Sequence, residues 1–272
     1  MSVFARQTKY YLLTVALILV VLHLHLSQFG SDFLSHSFLF WLTTIILIWQ
    51  KRERLSWQSD RLSTVIGCII LGLVLYRSLY LFPKDYFLQI SPILSLLGWA
   101  LLASGKNLKP YRKGFILLGF LAIPWELIYT FNVAQLTAKF SIFILTIFNF
   151  EVVRQGAWLV LPAGSVEVYN GCSGVQIIFQ LLGFSWILLL IIPTNWQQKI
   201  YLPSIAIVIG FVINAIRVAL MAVLVGLSDY RGFEYWHVGT GSLIFSAIAV
   251  LLLAICAIKI AFINSNSFKL GG

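Results

Sequence analysis

Charge is scarce in this sequence. Only 10% of its 272 residues are Asp, Glu, Lys or Arg, and only nine are acidic. A chain that is 60% hydrophobic cannot be covered by so few polar groups in water, which excludes a soluble globular enzyme and leaves little room for a separate soluble domain. The few carboxylates form no cluster and no HExxH motif, so neither a metalloprotease nor any other metal site is expected, and no cofactor. Cysteine is nearly absent too. Three residues, Cys68, Cys172 and Cys256, share no metal-type spacing and offer no redox pair. Cys68 and Cys256 fall within apolar runs and are expected to pack there. His23 and His25 are two apart, so a helix would point them to different faces instead of at one ion. The net charge of +10 does not indicate a nucleic-acid partner, because the basic residues are scattered through short loops between apolar runs.

What is present in abundance is the apolar run of membrane-spanning length. Candidate spans cover residues 10–26, 33–49, 62–82, 86–103, 114–131, 174–192, 201–226 and 240–262. The first run continues as HLHLSQFGSDF without a small-residue cleavage pattern, so it is expected to be a retained helix, not a signal peptide. The stretch 134–150 is short and carries Gln135, Lys139 and Asn149, which suits an interfacial or re-entrant helix. The expected fold class is an all-α polytopic membrane protein of about eight transmembrane helices, one short interfacial or re-entrant helix and a small outer hairpin. Its expected division is an N-terminal four-helix region, 1–113, and a second region, 114–272. With eight spans and a cytoplasmic N-terminus, Arg6, Lys9, Lys51, Arg52, Arg54, Arg61, Lys106, Lys109, Arg112, Lys113, Lys199, Lys259 and Lys269 face the cytoplasm, and only Lys84, Lys139, Arg154 and Arg231 face outward.

In that topology three polar features of the second half reach the outer face. Cys172 lies in VYNGCSGVQII, where a polar segment turns into an apolar run. A helix start lowers a thiol pKa, the flanking Gly171 and Gly174 permit close backbone approach, and Ser173 is the expected N-cap. The cysteine is read either as a reactive thiol or as a small residue at a tight helix entrance. Arg217, in NAIRVALM, is an arginine within a span, which faces either a polar interior or, by snorkelling, the interface; Asn214 shares its helix face. His237, in EYWHVGTG, stands just before the last span as a general acid or base, or as a polar anchor. A cysteine, an arginine and a histidine on three helices at one membrane face suit acyl transfer. Asn170, Ser173, Gly174, Asn214 and Glu126 are candidate supporting or substrate-binding residues. Glu126 sits beside Pro124 in a span expected to be broken, with Arg217 or Arg77 as its expected partner. The residues GAWLVLPAGSVEVYN read as two short strands around Pro162-Ala163-Gly164, a hairpin able to hold an extended peptide by strand addition.

These motifs, in this order, resemble the exosortase/archaeosortase family of membrane cysteine transpeptidases, and details around Cys172 look most like its cyanobacterial branch. The resemblance runs from about residue 114 to 250, through IPWELIY, GAWLVLPAGSVEVYNGCSGVQ, NAIRVALM and EYWHVGTG, with only general likeness before it. It implies Cys172 as nucleophile, with His237 as general acid and Arg217 as oxyanion donor. It implies substrates that are secreted proteins with a C-terminal tripartite sorting signal: a Pro-Glu-Pro-type motif, an apolar helix and a basic tail. It also implies an acceptor molecule that the sequence does not name, and a multi-pass position in the cytoplasmic membrane with the active site outward. Two rivals use the same residues. Gly-Cys-Ser-Gly also fits the nucleophile motif of rhomboid-like serine proteases, with Ser173 and His237 as the pair. A transporter or scaffold would use the buried Glu126 and Arg217 instead.

Overall fold

The computed structural model describes residues 3–27, 37–80, 86–124, 131–192 and 194–269. They form two compact units, Met1–Pro124 and Trp125–Gly272.

The first unit contains α1 (Val3–Ser27), α2 (Ser37–Trp49), α3 (Arg61–Leu79), α4 (Phe87–Ser104) and α5 (Arg112–Leu121). Helix α4 packs against α1, α3 and α5. Its contact with α3 depends on small residues, as in membrane helix pairs that bring backbones close. A Cβ on Gly67 would meet the Gly98 carbonyl oxygen at 2.8 Å, and one on Gly98 would meet Leu71 Cδ2 at 2.7 Å. Asp60 caps α3, accepting from the Ser63 amide at 3.3 Å and the Ser63 hydroxyl at 2.7 Å. Those two donors hold its carboxyl below the usual range. Helix α5 stops at Leu121, because residues ahead of Pro124 are biased away from helical backbone. The expected fifth span, 114–131, is therefore not one continuous helix, and its Glu126 lies outside the described residues. Arg77, at the end of α3, donates to its own chain at Tyr80 O, 3.3 Å away. Cys68, expected in the packing, is exposed on α3, while Cys256 in the second unit is half-buried.

The second unit contains α6 (Val133–Ile147), β1 (Val153–Gln155), β2 (Trp158–Leu161), β3 (Gly164–Glu167), α7 (Val175–Ile191), α8 (Trp196–Gly226), α9 (Tyr230–His237) and α10 (Gly241–Lys269). Helix α8 is its spine and touches every other helix and two strands. It begins earlier than its apolar run because Asn195 and Gln198 form a reciprocal capping box, at 2.9 and 3.0 Å. Gly210 lets α7 lie close, since a Cβ there would meet Ile178 Cα at 3.0 Å. The expected hairpin around Pro162-Ala163-Gly164 is present as β2 and β3, and β1 extends it to a three-stranded antiparallel sheet of order β1-β2-β3. The turn into β2 uses Gly156 at φ +64°. Leu159, Leu161, Val166 and Val168 face inward onto Val218, Met221, Ala222 and Val225 of α8 and Leu145 of α6.

Five described helical segments are long and apolar enough to cross a membrane: Gln7–Ser27, Arg61–Leu79, Phe87–Ser104, Trp196–Gly226 and Gly241–Ile260. Helices α2, α6 and α7 are apolar but shorter. The chain is thus a mostly helical multi-pass membrane protein.

The α3–α4 contact generates a paired test. Gly98→Val should destabilise the protein by about 1–3 kcal/mol, the usual cost of overpacking, lowering its thermal unfolding midpoint in detergent. Gly72→Val, on α3 where an added Cβ meets nothing within 4 Å, should leave that midpoint unchanged.

Candidate active site

The site is built where β3 leaves the sheet. After Glu167 the chain makes one more ladder bond, from Val168 N–H to Ala157 O at 3.0 Å, and then a single 3-10 turn, Asn170–Cys172. Cys172 N–H closes that turn on Tyr169 O at 2.9 Å. Gly174 follows at φ +91° as the N-cap of α7. The expected N-cap, Ser173, is instead one residue too early, because the left-handed backbone at Gly174 is what redirects the chain into the helix. No other residue suits Gly174: apart from φ, a Cβ would stand 2.7 Å from Asn214 Nδ2.

Two neighbouring helices pin this elbow. Asn214 of α8, 2% exposed, donates from Nδ2 to Cys172 O at 2.9 Å, and Thr137 of α6 donates to Ser173 O at 2.7 Å. The buried Cys172 Sγ then lies 3.2 Å from Nε2 of His237. Ser173 does not share this position. Its hydroxyl donates to Asn170 O at 2.6 Å and receives Val175 N–H at 3.4 Å, and among the described residues no bond joins it to His237. The Asn170 contribution is its backbone carbonyl, made within the turn.

His237 stands just before the last span, which begins at Gly241. It ends a separate short helix, α9, whose N-cap Asp229 accepts Gly232 N–H at 2.9 Å. The carbonyls at the end of α9 take donors from Arg217: Nε to Trp236 O at 3.2 Å, and Nη2 to His237 O at 2.5 Å. A cation at a helix C-terminus is favourable. Two of the five guanidinium N–H donors therefore hold the histidine's own backbone. Arg217 is thus first a positioning residue, and its charge lies close enough to act on Cys172, Tyr169 and His237. Phe233, one turn back, packs its ring 5.0 Å from the imidazole.

Tyr169 is a member of the site that sequence reasoning missed. Its hydroxyl lies 3.3 Å from the same His237 Nε2, and its ring stands edge-on to the imidazole. The available signal was its place three residues before Cys172, across one turn. With S–H and O–H both facing Nε2, that nitrogen is assigned as acceptor and the proton placed on Nδ1.

The electrostatics favour an uncharged resting pair. Burial pushes the Cys172 thiol above its usual range, opposed by the Tyr169 hydrogen bond and the Arg217 charge. Burial and then the Arg217 charge push His237 below its ordinary value. Both shifts keep the proton on sulfur and leave the imidazole free to take it. Burial, followed by its interaction with Cys172, raises Tyr169. No group of three potential metal ligands occurs among the described residues.

Beside this pair lies a cleft of about 280 Å³, lined by the edge of β3 from Gly164 to Glu167, by Tyr169 and Cys172, by Met221 and Val225 of α8, and by Tyr230, Phe233 and His237.

A pH profile tests the neutral pair. In a Cys68→Ser, Cys256→Ser background, alkylation of Cys172 should rise with a midpoint above the ordinary thiol value of about 8.5. Loss of activity on the acid side should begin only below about 6.5, as the imidazole protonates. Alkylation already at its plateau near pH ~6 would instead indicate a preformed thiolate–imidazolium pair.

Comparison with known proteins sets this geometry in a family. No curated protein sequence and no solved structure matches the chain. The family model described as transmembrane exosortase matches residues 10–254, so the likeness reaches through the first four helices, well beyond the 114–250 legible from motifs. The chain belongs to the transmembrane exosortase family.

Proposed function

We propose that this protein is a membrane cysteine transpeptidase or protease that cleaves the C-terminal sorting signal of secreted proteins through a thioester on Cys172. The observation that carries the reading is the 3.2 Å approach of Cys172 Sγ to His237 Nε2 at the end of a peptide-sized cleft. Membership of the exosortase family supports a sorting role. The distribution of basic residues supports a cytoplasmic-membrane location with the cleft on the outer side.

In the mechanism, His237 Nε2 takes the thiol proton as sulfur attacks the scissile carbonyl carbon. The oxyanion that forms is stabilised by the nearby Arg217 charge. The C–N bond then breaks, His237 returns its proton to the leaving amine of the apolar tail, and the acyl group stays on sulfur. An acceptor nucleophile attacks this thioester, His237 removes the acceptor's proton, the C–S bond breaks, and His237 passes that proton to the departing thiolate, which regenerates the thiol. Tyr169 shares Nε2 at rest and holds the imidazole plane toward the sulfur.

The sheet supplies the substrate's dock. Among the described residues strand β3 pairs with β2 alone, with Leu159 opposite Val166 and Leu161 opposite Gly164. The Val168–Ala157 bond sets the alternation, so these are the hydrogen-bonded pairs. Ser165 and Glu167 therefore turn their N–H and C=O away from β2, along the cleft. An extended segment ahead of an apolar helix can add there as a fourth strand and deliver its carbonyl to Cys172. The serine-protease reading on Ser173 has less support, because that hydroxyl is engaged within its own turn. The transporter reading has less too, because Asn214 and Arg217 are engaged with Cys172 and His237 in one cluster.

Co-expression with a protein carrying a short motif, an apolar helix and a basic tail provides the test, with its C-terminus followed by mass. Cys172→Ala should leave the tail intact, whereas Ser173→Ala should still process it; the reverse pattern would make this a serine protease. Glu167→Pro removes an outward N–H without breaking the ladder to β2. It should reduce processing while alkylation of Cys172 by a small reagent stays at the wild-type rate. Unimpaired processing would remove strand addition from the account.

A further inference from the structure

The first unit holds a second concavity, unconnected to the chemistry of Cys172. It is a groove of about 250 Å³ between α1, α2, α4 and the loop that follows α2. Its walls are apolar along the helices, from Leu13 to Val20 on α1 and Trp41 to Ile48 on α2. One end is cationic. Lys9 and Arg52 both line it, and no acidic residue does. Each cation sits over an indole: Lys9 Nζ is 5.1 Å from the Trp57 ring centroid, and Arg52 Cζ is 5.4 Å from that of Trp49.

The cationic end is fixed by an unusual backbone. Trp57 has φ +49°, a left-handed backbone that a bulky residue rarely adopts, and its ring is wedged edge-on against Trp99 at 6.3 Å.

Length and charge identify the occupant. From Lys9 to Val20, α1 rises about 16 Å, half of the roughly 30 Å hydrocarbon core of a bilayer. A groove one leaflet deep, apolar within and cationic at the interface matches an anionic glycerophospholipid. We propose that it holds one acyl chain of an anionic phospholipid, with the phosphate between Lys9 and Arg52. A basic peptide tail is repelled by the same two cations. This inference does not depend on the reading of Cys172.

Native mass spectrometry of the full chain in mild detergent, with phosphatidylglycerol and phosphatidylcholine of matched chains, tests it. The wild type should retain one phosphatidylglycerol in preference to phosphatidylcholine. Lys9→Gln with Arg52→Gln should reduce that preference about tenfold or more, as two interfacial cations imply. Lys51→Gln with Arg54→Gln makes the same charge change in the neighbouring loop, outside the groove, and should preserve the preference. Equal retention of both lipids by the wild type, or equal loss in the two double variants, would overturn the site; the latter would indicate surface electrostatics alone.

Discussion

The candidate site depends on a half-buried guanidinium at the end of a short helix. No residue of α9 is buried, so packing alone does not fix the position of its last residue, His237. Arg217 does, by donating to Trp236 O and His237 O. Those carbonyls have no partner within the helix, and the cation meets the negative end of the helix dipole. Three residues earlier on the same face of α8, Asn214 holds Cys172 O. One helix therefore positions both members of the candidate pair, the nucleophile through an amide and the base through a guanidinium. Losing Arg217 would both remove a charge and release the histidine, so lost activity in such a variant would not by itself establish an oxyanion role.

The length of α8 suits that task. Its 31 residues rise about 46 Å, well beyond a hydrocarbon core of roughly 30 Å. If the first polar turn, with Lys199, occupies one interface, about 20 further residues bring the opposite interface close to Arg217. The cation then lies where water can reach it, and the last turns of α8 project to carry the sheet. Gly164 allows β3 to rest directly on this projection, since a Cβ there would meet Val225 Cγ1 at 2.8 Å. The sheet, the elbow and the cleft are thus assembled on one rigid element.

The sequence made Cys172, Arg217 and His237 legible for a simple reason: polar groups stand out in apolar runs, and each stood where an apolar run begins or within one. The supporting parts were harder to see. Helix α9 is only eight residues long and its signal was an Asp229 cap. Strand β1 is three residues of mixed polarity, with every one exposed, so it carries no alternation. The start of α8 was hidden because Asn195-Trp196-Gln197-Gln198 looks like a polar loop until read as a capping box. Tyr169 was missed because its role arises only when α9 folds back over the turn, a contact 68 residues distant in sequence. Pro124 did announce a broken helix, and α5 ends just before it.

The central claim is that Cys172 is the attacking atom and that Arg217 makes His237 its base. Intact-mass analysis of the enzyme, quenched in acid during turnover of a tail-bearing substrate, tests this most directly. The account predicts one acyl adduct that is removed by hydroxylamine and maps to the peptide containing Cys172, and that is depleted in Arg217→Gln. An adduct mapping to Ser173, or undiminished adduct in Arg217→Gln, would contradict it.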